Sequence, residues 1–294
     1  MRQPCVITLL TDFGTQDAYV GIMKGVIAGI NPSAMVIDIC HSIPPQDIFS
    51  GAYLLSTSYK YFPKKTIHVA VVDPGVGSRR DIVCVETKDY LFLVPDNGLL
   101  SFIVQEERPK SIIRVTNSKF FLSSPSNTFH GRDIFAPVAA HLSLGVKPQQ
   151  LGIRINQLGQ LDVLKPVHKK TGQVEGQIIY IDRFGNLISN ITKEYLVKGV
   201  GGQKSEVRMQ KSEDRINQRK TTLEELFSLC NTIETVIGKK KIMGLSKTYT
   251  DVQAGDLLVL IGSAGFLEVS INQGNAQRYF KVDKGSKIII ENVR

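Results

Sequence analysis

Three glycine-punctuated turns in the first half of the chain hold side chains that could grip an anion or handle a proton. Leu10-Thr11-Asp12-Phe13-Gly14 ends a short apolar run. Val72-Asp73-Pro74-Gly75-Val76-Gly77 ends a β-branched one, and Arg80 follows Asp73 by seven residues. Phe129-His130-Gly131-Arg132-Asp133 opens a helical stretch. An Asp can bond an Arg two-pronged and fix both side chains. A His beside them can carry or orient a proton near neutrality. Plainer readings exist for each turn taken singly. Asp12 could be an Asx turn or cap, Asp73-Pro74-Gly75 an ordinary turn, Arg79 to Asp81 a solvated charge run, and His130 a cap or a core histidine.

Commoner motifs do not fit. Gly75-Val76-Gly77 has no third glycine for a dinucleotide fingerprint, and no Lys-Ser or Lys-Thr follows in phosphate-loop register. There is no GxSxG elbow for a serine nucleophile. Asp12, Asp73, His130 and Asp133 could be imagined around a metal, but neither HxH nor HExxH spacing supports it. Two turns of the second half offer complementary chemistry: Asp182-Arg183-Phe184-Gly185-Asn186, and Gly262-Ser263-Ala264-Gly265-Phe266-Leu267-Glu268. Carboxylate, amide and hydroxyl beside an exposed Phe suit a ribose, an amino-acid head or a base edge.

The elements that must carry these turns alternate in the first half. Val6–Leu10, Met35–Ile39 and Thr66–Val72 read as strands, the last nearly continuous in β-branched residues and so covered on both faces. Asp17–Ile30 reads as a helix burying Tyr19, Ile22, Met23, Val26 and Ile30, stopped by Asn31-Pro32. Asp47–Tyr61 is a second helix, with Ile48, Leu54, Leu55 and Tyr59 as candidates for burial. Ile82–Glu86 and Tyr90–Val94 form a hairpin, Leu99–Gln105 is helical, and Gly131–Leu144 is a helix burying Val138, Ala139, Leu142 and Leu144.

After about Pro166 the texture changes to short strands: Val174–Ile181, Leu187–Ile191, Leu257–Ile261, Leu267–Ile271 and Ser286–Ile290. One helix, Thr221–Leu229, is expected among them, with Thr222 and Glu225 as a capping box. The fold class is α/β: a mixed-sheet α/β domain over 1–168, then a smaller β-barrel-like domain over 169–294.

Bulk composition narrows the function. An apolar content of 42% supports a real core. The N-terminus lacks the features of a signal peptide, and no run reaches the roughly 20 apolar residues of a membrane span. Cys5, Cys40, Cys84 and Cys230 are scattered without a CxxC pair, which suits free thiols in a reducing compartment. A cytoplasmic protein with no membrane partner is expected. The net charge of +9 is partly local, since Lys193–Lys220 holds eight Lys/Arg against four Asp/Glu. That stretch carries neither zinc-finger spacing nor an aromatic ribonucleoprotein motif, so no specific nucleic-acid partner is expected.

The three N-terminal turn segments resemble the signatures of one family, the S-adenosyl-L-methionine hydroxide adenosyltransferases, hydrolytic relatives of bacterial fluorinase and chlorinase. Asp182–Asn186 and the stretch from Gly262 to Asn275 resemble that family's C-terminal signatures, in the expected order. The resemblance implies attack of water or hydroxide on the ribose 5′ carbon of S-adenosylmethionine, giving adenosine and L-methionine. It implies a homotrimer whose sites lie between one subunit's N-terminal domain and a neighbour's C-terminal domain. By the same resemblance Asp73, Arg80 and His130 handle the water and Asp12 binds the ribose. Asp182, Asn186 and Ser263 hold the methionine part, and Glu268 lies by the adenine.

No cofactor or metal is implied, because the sulfonium is already a good leaving group. In the halide-using relatives a tyrosine stands at the position of Asp73 and an aromatic near that of Gln46. An anionic Asp73 would repel a halide ion. The turn after Ser78 also lacks the longer insertion of the fluorinase, and the basic stretch Gly199–Lys220 departs from the family's short linkers. The alternative is a non-catalytic protein that holds adenosine or S-adenosylmethionine.

Overall fold

In a computed structural model, residues 4–162, 165–169, 171–200 and 232–293 are described. The expected helix Thr221–Leu229, most of the basic stretch Gly199–Lys220, and Cys230 lie outside them. The chain divides into two compact units, Met1–Val163 and Leu164–Arg294. Among the described residues no helix is long and apolar enough to cross a membrane.

The first unit runs β1 (Val6–Thr11), α1 (Tyr19–Ile30), β2 (Met35–Cys40), α2 (Ile48–Ser58), β3 (Ile67–Val71), β4 (Ile82–Glu86), β5 (Leu91–Pro95), α3 (Ile103–Glu106), β6 (Ser111–Val115), α4 (Ala136–Ser143) and β7 (Gly152–Ile155). One seven-stranded sheet has the order β2-β1-β3-β5-β4-β6-β7. β2, β1, β3 and β5 pair in parallel, and β4, β6 and β7 are antiparallel. Alternate residues of the central strands enter different cores. Leu9 and Val69 pack with Met23, Ile27 and Val138 on one face, whereas Leu10 and Ala70 pack with Leu55, Tyr59 and Leu99 on the other. Both faces are thus covered, which is why β3 reads as an apolar run interrupted only by His68.

The buried stripe of α1 is Val20, Met23 and Ile27, not the set expected from periodicity. Tyr19 and Ile22 are 46% and 40% exposed. The contact with α4 needs only a narrow i, i+3, i+7 stripe, and Val20 supplies the first position. Leu144 is likewise exposed, because α4 ends at Ser143 and Leu144 is already its C-cap. The expected helix Leu99–Gln105 shortens to Ile103–Glu106, because Leu99 to Phe102 form turns. The helical stretch from Gly131 begins as a π-helical turn, Gly131–Phe135, before α4. Wide turns of this kind recur at functional sites.

The second unit contains β8 (Val167–His168), β9 (Val174–Ile181), β10 (Leu187–Thr192), α5 (Lys193–Val200), β11 (Ile233–Ile237), β12 (Lys240–Met243), β13 (Leu257–Ile261), β14 (Phe266–Ile271), α6 (Ala276–Phe280) and β15 (Lys287–Asn292). All its strand pairs are antiparallel, in the order β12-β11-β15-β9-β10-β14-β13, with β8 added to β9. The two terminal strands, β12 and β13, approach one another, so the sheet is a nearly closed barrel. Ile178, Leu187, Ile191, Val259, Leu267, Ile288 and Ile290 fill it.

Candidate functional site

In an open α/β sheet ligands meet the carboxyl ends of parallel strands. Asp12 and Asp73 follow β1 and β3, two neighbouring parallel strands in which Thr11 stands opposite Val71. Both carboxylates therefore leave the same end of the sheet. The turn after Asp73 is tight. Val76 N donates to the Asp73 carbonyl at 3.2 Å and Ser78 N to that of Gly75 at 3.0 Å. Gly77 has φ +76°, and a Cβ there would stand 2.4 Å from the Asn127 carbonyl oxygen, so glycine is required. Asn97 Nδ2 donates to the Val72 carbonyl at 2.8 Å, tethering the strand end to the turn after β5.

This turn brings Arg80 back onto Asp73. Arg80 Nε donates to Asp73 Oδ1 at 2.7 Å and Nη2 donates to Oδ2. The Asp73 and Arg80 side chains are only 4% and 11% exposed. The same Nη2 lies 2.9 Å from His130 Nδ1. Arginine only donates, so Nδ1 must accept, and the ring proton of neutral His130 sits on Nε2. Burial first, then the Arg80 charge, hold the His130 pKa below the ordinary value of 6.5; Asp73 and Asp133 pull the other way without prevailing. Asp73 and His130 line a pocket of about 140 Å³ with Phe13, Tyr19 and Phe129. The three rings contact each other at centroid distances of 5.0–5.9 Å.

Neighbouring charges have local duties. Asp133 is buried and takes Arg132 Nε at 2.6 Å and Ser126 N at 2.8 Å, fixing the loop before His130. Asp81 pairs with Arg114 at 2.7 Å, and Arg79 is exposed. Asp12 is half-buried, and its Oδ2 accepts Gln46 N at 2.7 Å. Oδ1 has no hydrogen-bond partner among the described residues.

The second unit has its own pocket, of about 460 Å³, lined by Asp182, Phe184, Asn186, Tyr249, Asn272, Gln273 and Gly274. Asp182 Oδ1 accepts Phe184 N and Asn186 N, each at 2.9 Å, and Oδ2 accepts Asn186 Nδ2 at 2.8 Å. Gly185 (φ +86°) lets the turn press against Asn275, where a Cβ would come within 2.2 Å. Glu268 is buried and does not line the pocket; its Oε1 accepts Tyr249 Oη at 2.6 Å and Ser270 Oγ at 2.8 Å. Burial and Glu268 push the Tyr249 hydroxyl pKa upward. Ser263 sits exposed in the turn between β13 and β14. The structure thus joins Asp73, Arg80 and His130 in one network and Asp182 with Asn186 in another.

Sequence reasoning passed over Tyr19 and Tyr249. The helical phase of Tyr19 fits a core position and so masks its place on the pocket wall. Tyr249 lies in a short 3₁₀ turn with no strand or glycine motif beside it. Among the described residues no three His, Cys, Asp or Glu side chains cluster as a metal site.

Residues 7–152 match the model of the SAM hydroxide adenosyltransferase N-terminal domain, and residues 176–228 and 215–289 match that of the C-terminal domain. The chain belongs to the SAM hydroxide adenosyltransferase family. Within this adenosyltransferase family it is 36% identical to an (R)-S-adenosyl-L-methionine hydrolase of Methanocaldococcus jannaschii, covering 95% of this chain and 92% of that one. It is 31% identical to an (R)-S-adenosyl-L-methionine hydrolase of Thermus thermophilus, over 96% of this chain and 98% of the relative. A crystal structure of an uncharacterized conserved protein from Thermotoga maritima superposes with a TM-score of 0.83 at 35% identity, covering 97% of this adenosyltransferase and all of that chain.

Proposed function

We propose that this chain hydrolyses S-adenosyl-L-methionine to adenosine and L-methionine, in the (R) configuration that its hydrolase relatives carry in their names. The observation that carries the reading is the joined Asp73–Arg80–His130 network on the wall of a pocket at the carboxyl end of the parallel strands.

Water attacks the 5′ carbon as the carbon–sulfur bond breaks, and the bonding pair leaves with sulfur to form the thioether of methionine. The departing group needs no protonation. The new oxygen carries an extra proton during attack and is strongly acidic, so a carboxylate suffices to receive it. Asp73 is the acceptor of the three, since Arg80 only donates and the free His130 nitrogen carries a proton. His130 orients the water, and Arg80 holds both partners in place. The charge of Asp73 disfavours a halide in the same position.

Asp12 takes the ribose hydroxyls. Asp182, Asn186 and Ser263 take the amino-acid end, and Glu268 acts on the adenine side through Tyr249. The enzyme is a homotrimer, in which the N-terminal pocket of one subunit and the C-terminal pocket of another serve one substrate. It works in the cytoplasm, in keeping with the free thiols of Cys5, Cys40 and Cys84, and needs no metal or cofactor.

The decisive test incubates pure protein with substrate in ¹⁸O-water, with and without chloride and with and without a chelator. Equal adenosine and methionine with ¹⁸O at the 5′ hydroxyl in every arm supports the reading. Absence of adenosine above a buffer blank, or a chlorinated nucleoside, overturns it. Mixed trimers of two impaired variants, one altered at Asp73 and one at Asp182, regain activity at limiting substrate if sites are shared between subunits. Light scattering gives the assembly mass.

A further inference from the structure

We propose that His41, absent from every set of site residues above, is a positioning residue for Asp12, acting through Thr11. The inference rests on the reading of Asp12 as a substrate contact. His41 follows β2, and Thr11 ends β1, the strand beside it. Both are buried, at 6% and 0% exposure. Thr11 Oγ1 lies 2.8 Å from His41 Nδ1, and Phe13 N donates to the same Oγ1 at 3.2 Å. Gly14 N donates to the His41 carbonyl at 2.8 Å. The backbone on both sides of Asp12 is therefore tied to one histidine.

The far side of the ring explains why it faces Thr11 with a lone pair. His41 Nε2 lies 3.1 Å from Asp38 Oδ1, close but without the alignment of a good hydrogen bond. Lys24 of α1 donates to the other Asp38 oxygen at 2.6 Å. Burial alone would raise the Asp38 carboxyl, yet its polar neighbours, Lys24 first, hold it below its ordinary value. A charged carboxylate at that distance favours a proton on Nε2, leaving Nδ1 to accept from the Thr11 hydroxyl. The hydroxyl oxygen is then free to accept Phe13 N. Donors and acceptors run in one direction from the turn to the surface. None of Thr11, His41 and Asp38 touches the reacting atoms. Its effect is on the aim of Asp12, whose Oδ1 is left open while Gln46 N holds Oδ2.

The test is a double-mutant cycle between His41 and Asp12. His41→Ala is expected to lower kcat/KM about tenfold, mostly through KM, and to cost less than about twofold when Asp12 is already Ala. His41→Asn, which keeps an amide near the Nδ1 position, should restore activity to within about threefold; His41→Gln, with its amide near Nε2, should not. Amide exchange at Phe13, Gly14 and Gln46 should quicken in His41→Ala and return toward wild type in His41→Asn. Additive losses in the cycle, equal effects of Asn and Gln, or unchanged exchange in a folded His41→Ala protein would overturn the proposal. A wild-type protein without turnover would instead overturn the hydrolase reading, and the exchange measurement would still decide the role of His41.

Discussion

The two pockets each present an aspartate at the end of a strand, and they hold it in opposite ways. Asp73 is gripped by a guanidinium, with its charge balanced on the spot. Asp182 is held by two main-chain N–H groups and one side-chain amide, and forms no ion pair among the described residues. A carboxylate balanced by Arg80 suits a transient role toward water that has little charge of its own. A carboxylate oriented by neutral donors keeps its full attraction for a cation, such as the ammonium of an amino acid. Under the proposed function the same residue type serves kinetics in one unit and affinity in the other.

That contrast is most directly broken at Asp73. Asp73→Asn is expected to lower kcat on the order of a thousandfold with KM little changed, because the loss falls on the step that moves a proton. Steady-state adenosine release reads it. Equal loss in binding would make Asp73 a mere anchor. Asp182→Asn should do the reverse, raising KM about 10–100-fold while kcat falls far less, as suits a lost charge-assisted contact. A kcat effect as large as that at Asp73 would erase the distinction between the pockets.

A pH profile sharpens it further. His130 is held below its ordinary value, so its neutral form survives below pH 6.5. Activity is expected to hold through neutrality and fall on acidification, with a midpoint under 6.5, as a proton on Nδ1 expels Arg80. A midpoint above 6.5 would contradict the contact.

The last effect concerns stability and leaves turnover aside. His68 is fully buried, with Nδ1 bonded to Thr8, and burial pushes its pKa down to about 3. Its contribution is complete above pH 6.5 and is lost as pH falls toward 3, at about 1.4 kcal/mol per pH unit. Denaturant titrations across that window should show the slope, and His68→Phe should flatten it.

Much of this was legible in the residues. The β-branched run of β3, the hairpin of β4 and β5 and the strands β9, β10, β13 and β14 declare themselves by composition and by the glycine turns between them. The pairing of Asp73 with Arg80 was readable because both sit in one turn. Other features were hidden because they depend on partners distant in sequence. The π-helical turn at Gly131 has no pattern of its own. Strands β6 and β11 and the edge strands β7 and β12 mix charged or polar residues with apolar ones and present no unbroken apolar run to read. Tyr249 gains its place through Glu268, nineteen residues on, and His41 through Thr11, thirty residues back.

The parallel register of β1 and β3 has a consequence for how such a protein can change. Main-chain hydrogen bonds fix the gap between neighbouring strand ends at about 4.8 Å, whatever side chains follow. The residues after Thr11 and Val71 are therefore exchangeable fittings on a gauge that does not move. One substitution in the turn after β3 can replace Asp73 while the carboxylate after β1 stays where it was. A new reaction on this scaffold needs an edit to a turn, and the sheet need not be rebuilt.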